Sequence, residues 1–151
     1  MLQKYLESLH DIFTNPKANE VSHRPQLNSF LMDIKTRLES SNNDFATLKV
    51  YHENTIKTKH RKIMPDFLVV DSELIKGMIE NKKAATFECV KEIDDLLKDN
   101  KGQVEKYMQL RPNLILTDYL SFYLLGYEDT QNLDSIKSPR RSCFRSLCVN
   151  F

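Results

Sequence analysis

The chain has 151 residues, of which 40% are hydrophobic and 28% charged, a composition suited to one soluble domain around a single core. Its 22 Lys and Arg against 21 Asp and Glu leave a net charge of +1, so any affinity for nucleic acid must come from a local patch and not from the overall charge. The N-terminal MLQKYLESLHDIF interleaves charges with apolar residues, unlike a secretory leader, and no run approaches the roughly 18–20 apolar residues of a membrane span; a cytoplasmic protein without membrane contact is expected. The three cysteines, Cys89, Cys143 and Cys148, form no framework and read as free thiols in a reducing compartment.

Residues 2–14 place Leu2, Tyr5, Leu6, Leu9, Ile12 and Phe13 at helical spacing, and Asn15-Pro16 ends that helix. A second helix is predicted over 25–40, with Pro25 in its first turn and Leu27, Phe30, Leu31, Ile34 and Leu38 as its buried stripe. After a polar loop at 40–44 the period changes to two, and 48–53 reads as a strand. KTKHRK at 57–62 is a basic loop. MPDFLVVD reads as a buried strand, Asp71-Ser72-Glu73 as a turn and 75–82 as the returning strand, so 64–82 is expected to be a β-hairpin.

Helices follow at 88–99 and 103–110, separated by a break at Asn100-Lys101-Gly102. NLILTDY is a buried strand and LSFYLLGYE its expected neighbour. Tyr119, Phe122 and Tyr123 read as core residues. The expected fold class is α/β, a central mixed β-sheet flanked by helices. From about 129 to 151 the chain turns to Ser, Arg and Cys without a period. This stretch is expected to be a flexible tail on which few core contacts depend. It reads either as the chance end of a truncated frame or as a linker or basic tail carrying Arg140, Arg141 and Arg145. The division expected is an N-terminal helix at 1–16, a domain at 17–128 and the tail at 129–151.

Asp66, Glu80 and Lys82 carry the chemistry of the hairpin. Glu80 and Lys82 are two apart on one strand and so share a face, and the hairpin brings Asp66 to the same side. Charged side chains among apolar strand residues are costly unless they meet a metal or each other. Two carboxylates suit a hard cation such as Mg2+, and a neighbouring lysine can orient a water and balance charge. The strand register decides whether Lys82 or Lys83 faces the site. Gln103 and Tyr107 lie one helical turn apart. The histidines, His10, His23, His52 and His60, have no metal-ligand spacing, and Cys143 with Cys148 lacks the second pair of ligands that zinc needs.

Pro65-Asp66 followed by Glu80-Asn81-Lys82 resembles the PD-(D/E)xK nuclease motif, and QVEKY resembles the QxxxY element found downstream of it in one branch of that superfamily. MPDFLVVD, GMIENKK, GQVEKY and NLILTDYLSFYLL, in that order, are similar to the N-terminal nuclease domain of fused bacterial restriction–modification proteins, in which an adenine methyltransferase follows. The likeness runs from about Glu20 to about Tyr127. It implies a restriction-endonuclease-like fold and Mg2+-dependent hydrolysis of DNA that leaves a 5′-phosphate. Asp66, Glu80, Lys82, Gln103 and Tyr107 would be the catalytic set and Asp66, Glu80 and Glu20 the metal ligands, with Glu39 or Glu53 as alternatives to Glu20. Lys57, Lys59, Arg61, Lys62 and Lys83, with His60, form either a phosphate-contacting patch or a solvated basic surface. The implied partners are double-stranded DNA and a methyltransferase or specificity region in the same or another polypeptide. Cutting both strands needs two active sites, hence an expected homodimer or pairing on DNA. The alternative is a non-catalytic DNA-binding or interaction module of the same fold.

Overall fold

Strand residues that alternate between two buried faces define the architecture. The computed structural model describes residues 1–57, 62–83, 101–110, 113–126 and 140–142. In chain order these form α1 (Leu2–Phe13), a 3-10 turn (Glu20–His23), α2 (Arg24–Ser41), β1 (Leu48–His52), β2 (Ile56–Lys57) and β3 (Lys62–Ile63). There follow β4 (Phe67–Asp71), β5 (Leu74–Asn81), α3 (Lys101–Met108), β6 (Asn113–Thr117), β7 (Phe122–Gly126) and β8 (Arg140–Ser142). Six strands make one sheet in the order β1-β4-β5-β6-β7-β8, and β2 pairs with β3 alone. All neighbours are antiparallel except β5 and β6, which run parallel. The expected mixed sheet with flanking helices is therefore present.

On one face Leu68, Met78, Leu114, Leu116 and Leu125 pack with Ile63 and with Tyr107 of α3. On the other, Phe67 and Ile79 pack with Tyr5 and Leu9 of α1, Leu27 of α2 and Tyr119. Burial on both sides explains why FLVV and the end of β5 read as nearly continuous apolar runs. The rings of Tyr5 and Phe30 stack at 4.4 Å, and the Tyr5 hydroxyl donates to the Tyr119 carbonyl at 2.8 Å. Tyr119 is held at φ 74 in the turn between β6 and β7, where the Asp118 carboxylate accepts from the amides of Leu120 and Ser121.

The hairpin of β4 and β5 closes through Ser72 and Glu73, both with positive φ, the geometry that matches the twist of a two-residue hairpin turn. Val70 pairs with Ile75, but Val69 pairs with Gly77, so Lys76 is an extra residue, a β-bulge. The Lys76 carbonyl accepts from the Asn113 side chain at 3.1 Å. A Cβ on Gly77 would lie 3.2 Å from the Asn113 carbonyl, which explains glycine where β6 approaches the bulge.

Several expectations shift. Lys101 and Gly102 belong to α3, which begins two residues earlier than the expected 103; Asn100 lies outside the described residues. Lys57 and Lys62 are not loop residues but face each other across β2 and β3. Of the expected tail, Arg140–Ser142 form a strand paired with β7; the rest of 129–151, the helix expected at 88–99 and all three cysteines lie outside the described residues. Among the described residues no helix is long and apolar enough to cross a membrane.

Candidate active site

The hairpin positions the two carboxylates. Phe67 pairs with Ile79, and one more step of that register sets Asp66 opposite Glu80. Directly opposed residues point to the same face, so both acids lie on the α3 side with Leu68 and Met78. Asp66 sits one residue before β4, not within it as expected, but its carbonyl accepts from the Glu53 amide at 2.9 Å, prolonging the β1–β4 ladder. Lys82 likewise falls just beyond β5, where its amide donates to the Thr117 carbonyl at 2.7 Å. The cluster thus occupies the ends of the second and third strands of the sheet.

Glu80 is 7% exposed and is enclosed by donors. The Tyr107 hydroxyl donates to its Oε2 at 2.7 Å, Gln103 donates to its Oε1, and Lys82 Nζ lies 3.5 Å from Oε1. Lys82 also donates to the Gln103 side-chain carbonyl, and the Gln103 amide lies 3.2 Å from the Tyr107 hydroxyl. Gln103 and Tyr107, one turn apart on α3, therefore hold Glu80 and Lys82 together. Lys82 faces this cluster; Lys83 is exposed. Burial raises the Glu80 pKa, the Tyr107 hydrogen bond pulls it back down, and the negative charge of Asp66 raises it further. The Tyr107 hydroxyl is itself raised by burial and by Glu80, so it remains a donor at neutral pH.

Asp66 is bound differently. Its Oδ2 accepts from the Asn81 amide at 2.8 Å, and its Oδ1 lies 2.6 Å from Arg24 Nη2. Arg24 Nη1 reaches Glu53 Oε1, also at 2.6 Å. Arg24 was missed as a site residue in the sequence. A signal was present, because a cation at the first residue of α2 opposes the helix dipole and needs another reason to be there. His23 beside it is buried between Phe13 and Tyr119, and burial lowers its pKa.

Glu20 begins the 3-10 turn before α2; its side chain lies outside what the structure describes. Glu39 pairs with Lys35 on α2. Lys59, His60 and Arg61 lie outside the described residues, while Lys57 and Lys62 are exposed. Among the described residues there is no group of three or more His, Cys, Asp and Glu placed to hold a metal ion. Asp66 and Glu80 are brought together around Lys82, Gln103 and Tyr107, and Glu53, the alternative to Glu20, is joined to Asp66 through Arg24. The donor chemistry of Asp66 and Glu80 nevertheless fits Mg2+, which takes one or two carboxylates and keeps several waters. The upward push of Asp66 on Glu80 is the repulsion that a bound cation relieves.

No family model and no curated protein matches the chain. Among solved structures, a cryo-EM structure of a DrdV–DNA complex is similar, with a TM-score of 0.55 and 23% identity over 82% of this chain. That alignment covers 11% of the DrdV chain, so this chain corresponds in fold to a small part of a much larger polypeptide. The likeness is one of fold, and the fold is restriction-endonuclease-like.

Proposed function

We propose that this chain is the Mg2+-dependent DNA endonuclease domain of a restriction–modification system, hydrolysing phosphodiester bonds. The observation that carries the reading is the convergence of Asp66, Glu80 and Lys82 on one face, with Gln103 and Tyr107 of α3 bonded to the same groups. The similar fold in a complex with DNA supports DNA as the partner, and the order of the four sequence motifs, similar to that of fused restriction–modification proteins, is what suggests a methyltransferase or specificity region in the same or another polypeptide.

Asp66 and Glu80 would hold the metal, with Glu20 as a third acidic ligand. When bound, Mg2+ would polarise the scissile phosphate and lower the pKa of a water. Lys82 orients the attacking water and offsets charge on the phosphate as it develops. Tyr107 and Gln103 favour the ionised form of Glu80 against its burial and fix its rotamer, since each donates to one of its oxygens. Lys57, Lys62 and Lys83, exposed beside this end of the sheet, with Lys59 and Arg61 of the same basic run, would take DNA phosphates and set the duplex in register.

The test is incubation of supercoiled plasmid and linear duplex with the protein in Mg2+ or in EDTA, beside Asp66→Asn. Nicking or cutting that needs both Mg2+ and Asp66 is expected. Retention of DNA binding with no cleavage under any divalent cation would favour a non-catalytic module of the same fold.

A further inference from the structure

Arg24 spans two carboxylates of unlike burial. One guanidinium nitrogen lies 2.6 Å from Asp66, whose side chain is 11% exposed, and the other 2.6 Å from Glu53, whose side chain is 50% exposed. With the Asn81 amide on its second oxygen, Asp66 has a protein donor on each oxygen. The local conformation favours this bridge. Arg24 starts α2, where the helix dipole repels a cation, so the two acids hold it against that field. Glu53 stands at φ 49 immediately after β1, and its amide is bonded to the Asp66 carbonyl, which fixes it beside Asp66.

We infer that Arg24 is a resident counter-cation that competes with the divalent metal for Asp66, and that Glu53 is the acceptor which retains Arg24 when the metal arrives. This rests on the reading of Asp66 and Glu80 as the metal ligands. A buried carboxylate left without a positive partner is strongly unfavourable, and Arg24 supplies that partner to Asp66. A metal ion seated on Asp66 repels the guanidinium. Because the second arm is already bonded to Glu53, the head can leave Asp66 without losing all compensation. Arg24 and Glu53 also line a surface depression of about 450 Å³ with Asn28 and His52, which gives the head room to move. The bridge thus sets the threshold of metal occupancy, and Arg24 is a positioning residue and not one that touches the scissile bond.

The test is calorimetric titration of Mg2+ into the wild-type protein, Arg24→Met, Glu53→Gln and the double variant, at about 0.15 M salt where exposed charges are screened. Plasmid cleavage is run in parallel. Arg24→Met is expected to bind Mg2+ about tenfold more tightly, the lower end of what a charge within roughly 4–6 Å does to a carboxylate's proton affinity. Glu53→Gln leaves Arg24 wholly on Asp66 and is expected to bind more weakly. The decisive point is non-additivity: in the Arg24→Met background, Glu53→Gln should change the affinity little. Equal effects of Glu53→Gln in both backgrounds would reduce the pair to background electrostatics and overturn the inference. So would unchanged or weaker binding by Arg24→Met while the wild type still binds Mg2+ and cuts. Absence of Mg2+ binding and of cleavage in all four proteins would instead overturn the nuclease reading, and the inference with it.

Discussion

Asp66 and Glu80 share a face of the sheet because β5 carries one residue more than β4 between the hairpin turn and the site. Counting from Asp71 opposite Leu74, an unbulged ladder would set Asp66 opposite Ile79 and turn the two acids to opposite faces. The bulge at Lys76 corrects this, and Asn113 satisfies the carbonyl it frees. Excising Lys76 leaves a regular ladder with the same partners, Val70 to Ile75 and Val69 to Gly77. The deletion variant is therefore expected to fold and to keep Mg2+-dependent cutting within about tenfold of wild type. A folded but inactive deletion variant, by circular dichroism and plasmid cleavage, would refute this account of the register.

Lys82→Ala should slow cleavage by roughly 10²–10³-fold with the fold retained, at a stability cost of up to about 3–5 kcal/mol, since the side chain is 18% exposed and its partner Glu80 only 9%. Lys83→Ala, at an exposed position, should cut nearly as well and lose only some salt-dependent DNA affinity. Single-turnover cleavage and thermal unfolding of both variants check this; the reverse pattern would move the role to Lys83.

Tyr107→Phe removes the donor to Glu80 Oε2 and should cost roughly 1.5–3 kcal/mol, the usual range for a hydrogen bond to a charged group. That bond lowers the Glu80 pKa, so its loss raises it. The acid limb of the cleavage profile, which requires ionised Glu80, should move to higher pH. A pH–rate series on the variant is the measurement, and an unmoved acid limb would separate Tyr107 from Glu80 ionisation.

Glu80 also gives stability a predictable pH dependence in EDTA. Its folded-state pKa lies above the ordinary glutamate value, first because of burial. The folded chain therefore binds this proton more tightly than the unfolded chain. Its contribution is fully present below the unfolded pKa and is lost as pH rises through the folded one. Glu80→Gln should accordingly melt higher than wild type at neutral pH without metal, with the difference shrinking as pH falls into the carboxylate range. Mg2+ should stabilise the wild type and not the variant. A variant less stable at neutral pH in EDTA would mean that the donors around Glu80 outweigh its burial.

The hairpin, the two-residue spacing of Glu80 and Lys82 and the four-residue spacing of Gln103 and Tyr107 were legible because side-chain direction repeats with a fixed period in strands and helices. The bulge was not read, although Gly77 inside an apolar strand pattern was its signal. Without it, the tight turn at Ser72-Glu73 argues for the wrong face. Arg24 was not read either, because its partners Glu53 and Asp66 lie 29 and 42 positions away in sequence, and only the pairing of β1 with β4 brings those two acids together. The parallel pairing of β5 with β6 was likewise beyond local periodicity, since a parallel pair is joined by a long crossover and not by a turn.

The central claim is that Asp66 and Glu80 together hold one divalent cation. Its most direct test is a crystal soaked in Mn2+, measured for anomalous scattering, beside a Glu80→Gln crystal treated in the same way. The account predicts a peak within about 2.0–2.3 Å of a carboxylate oxygen of each residue, with the Arg24 head drawn back toward Glu53, and no peak in the variant. A wild-type crystal with no peak between these carboxylates, or with Mn2+ bound only elsewhere, would contradict it.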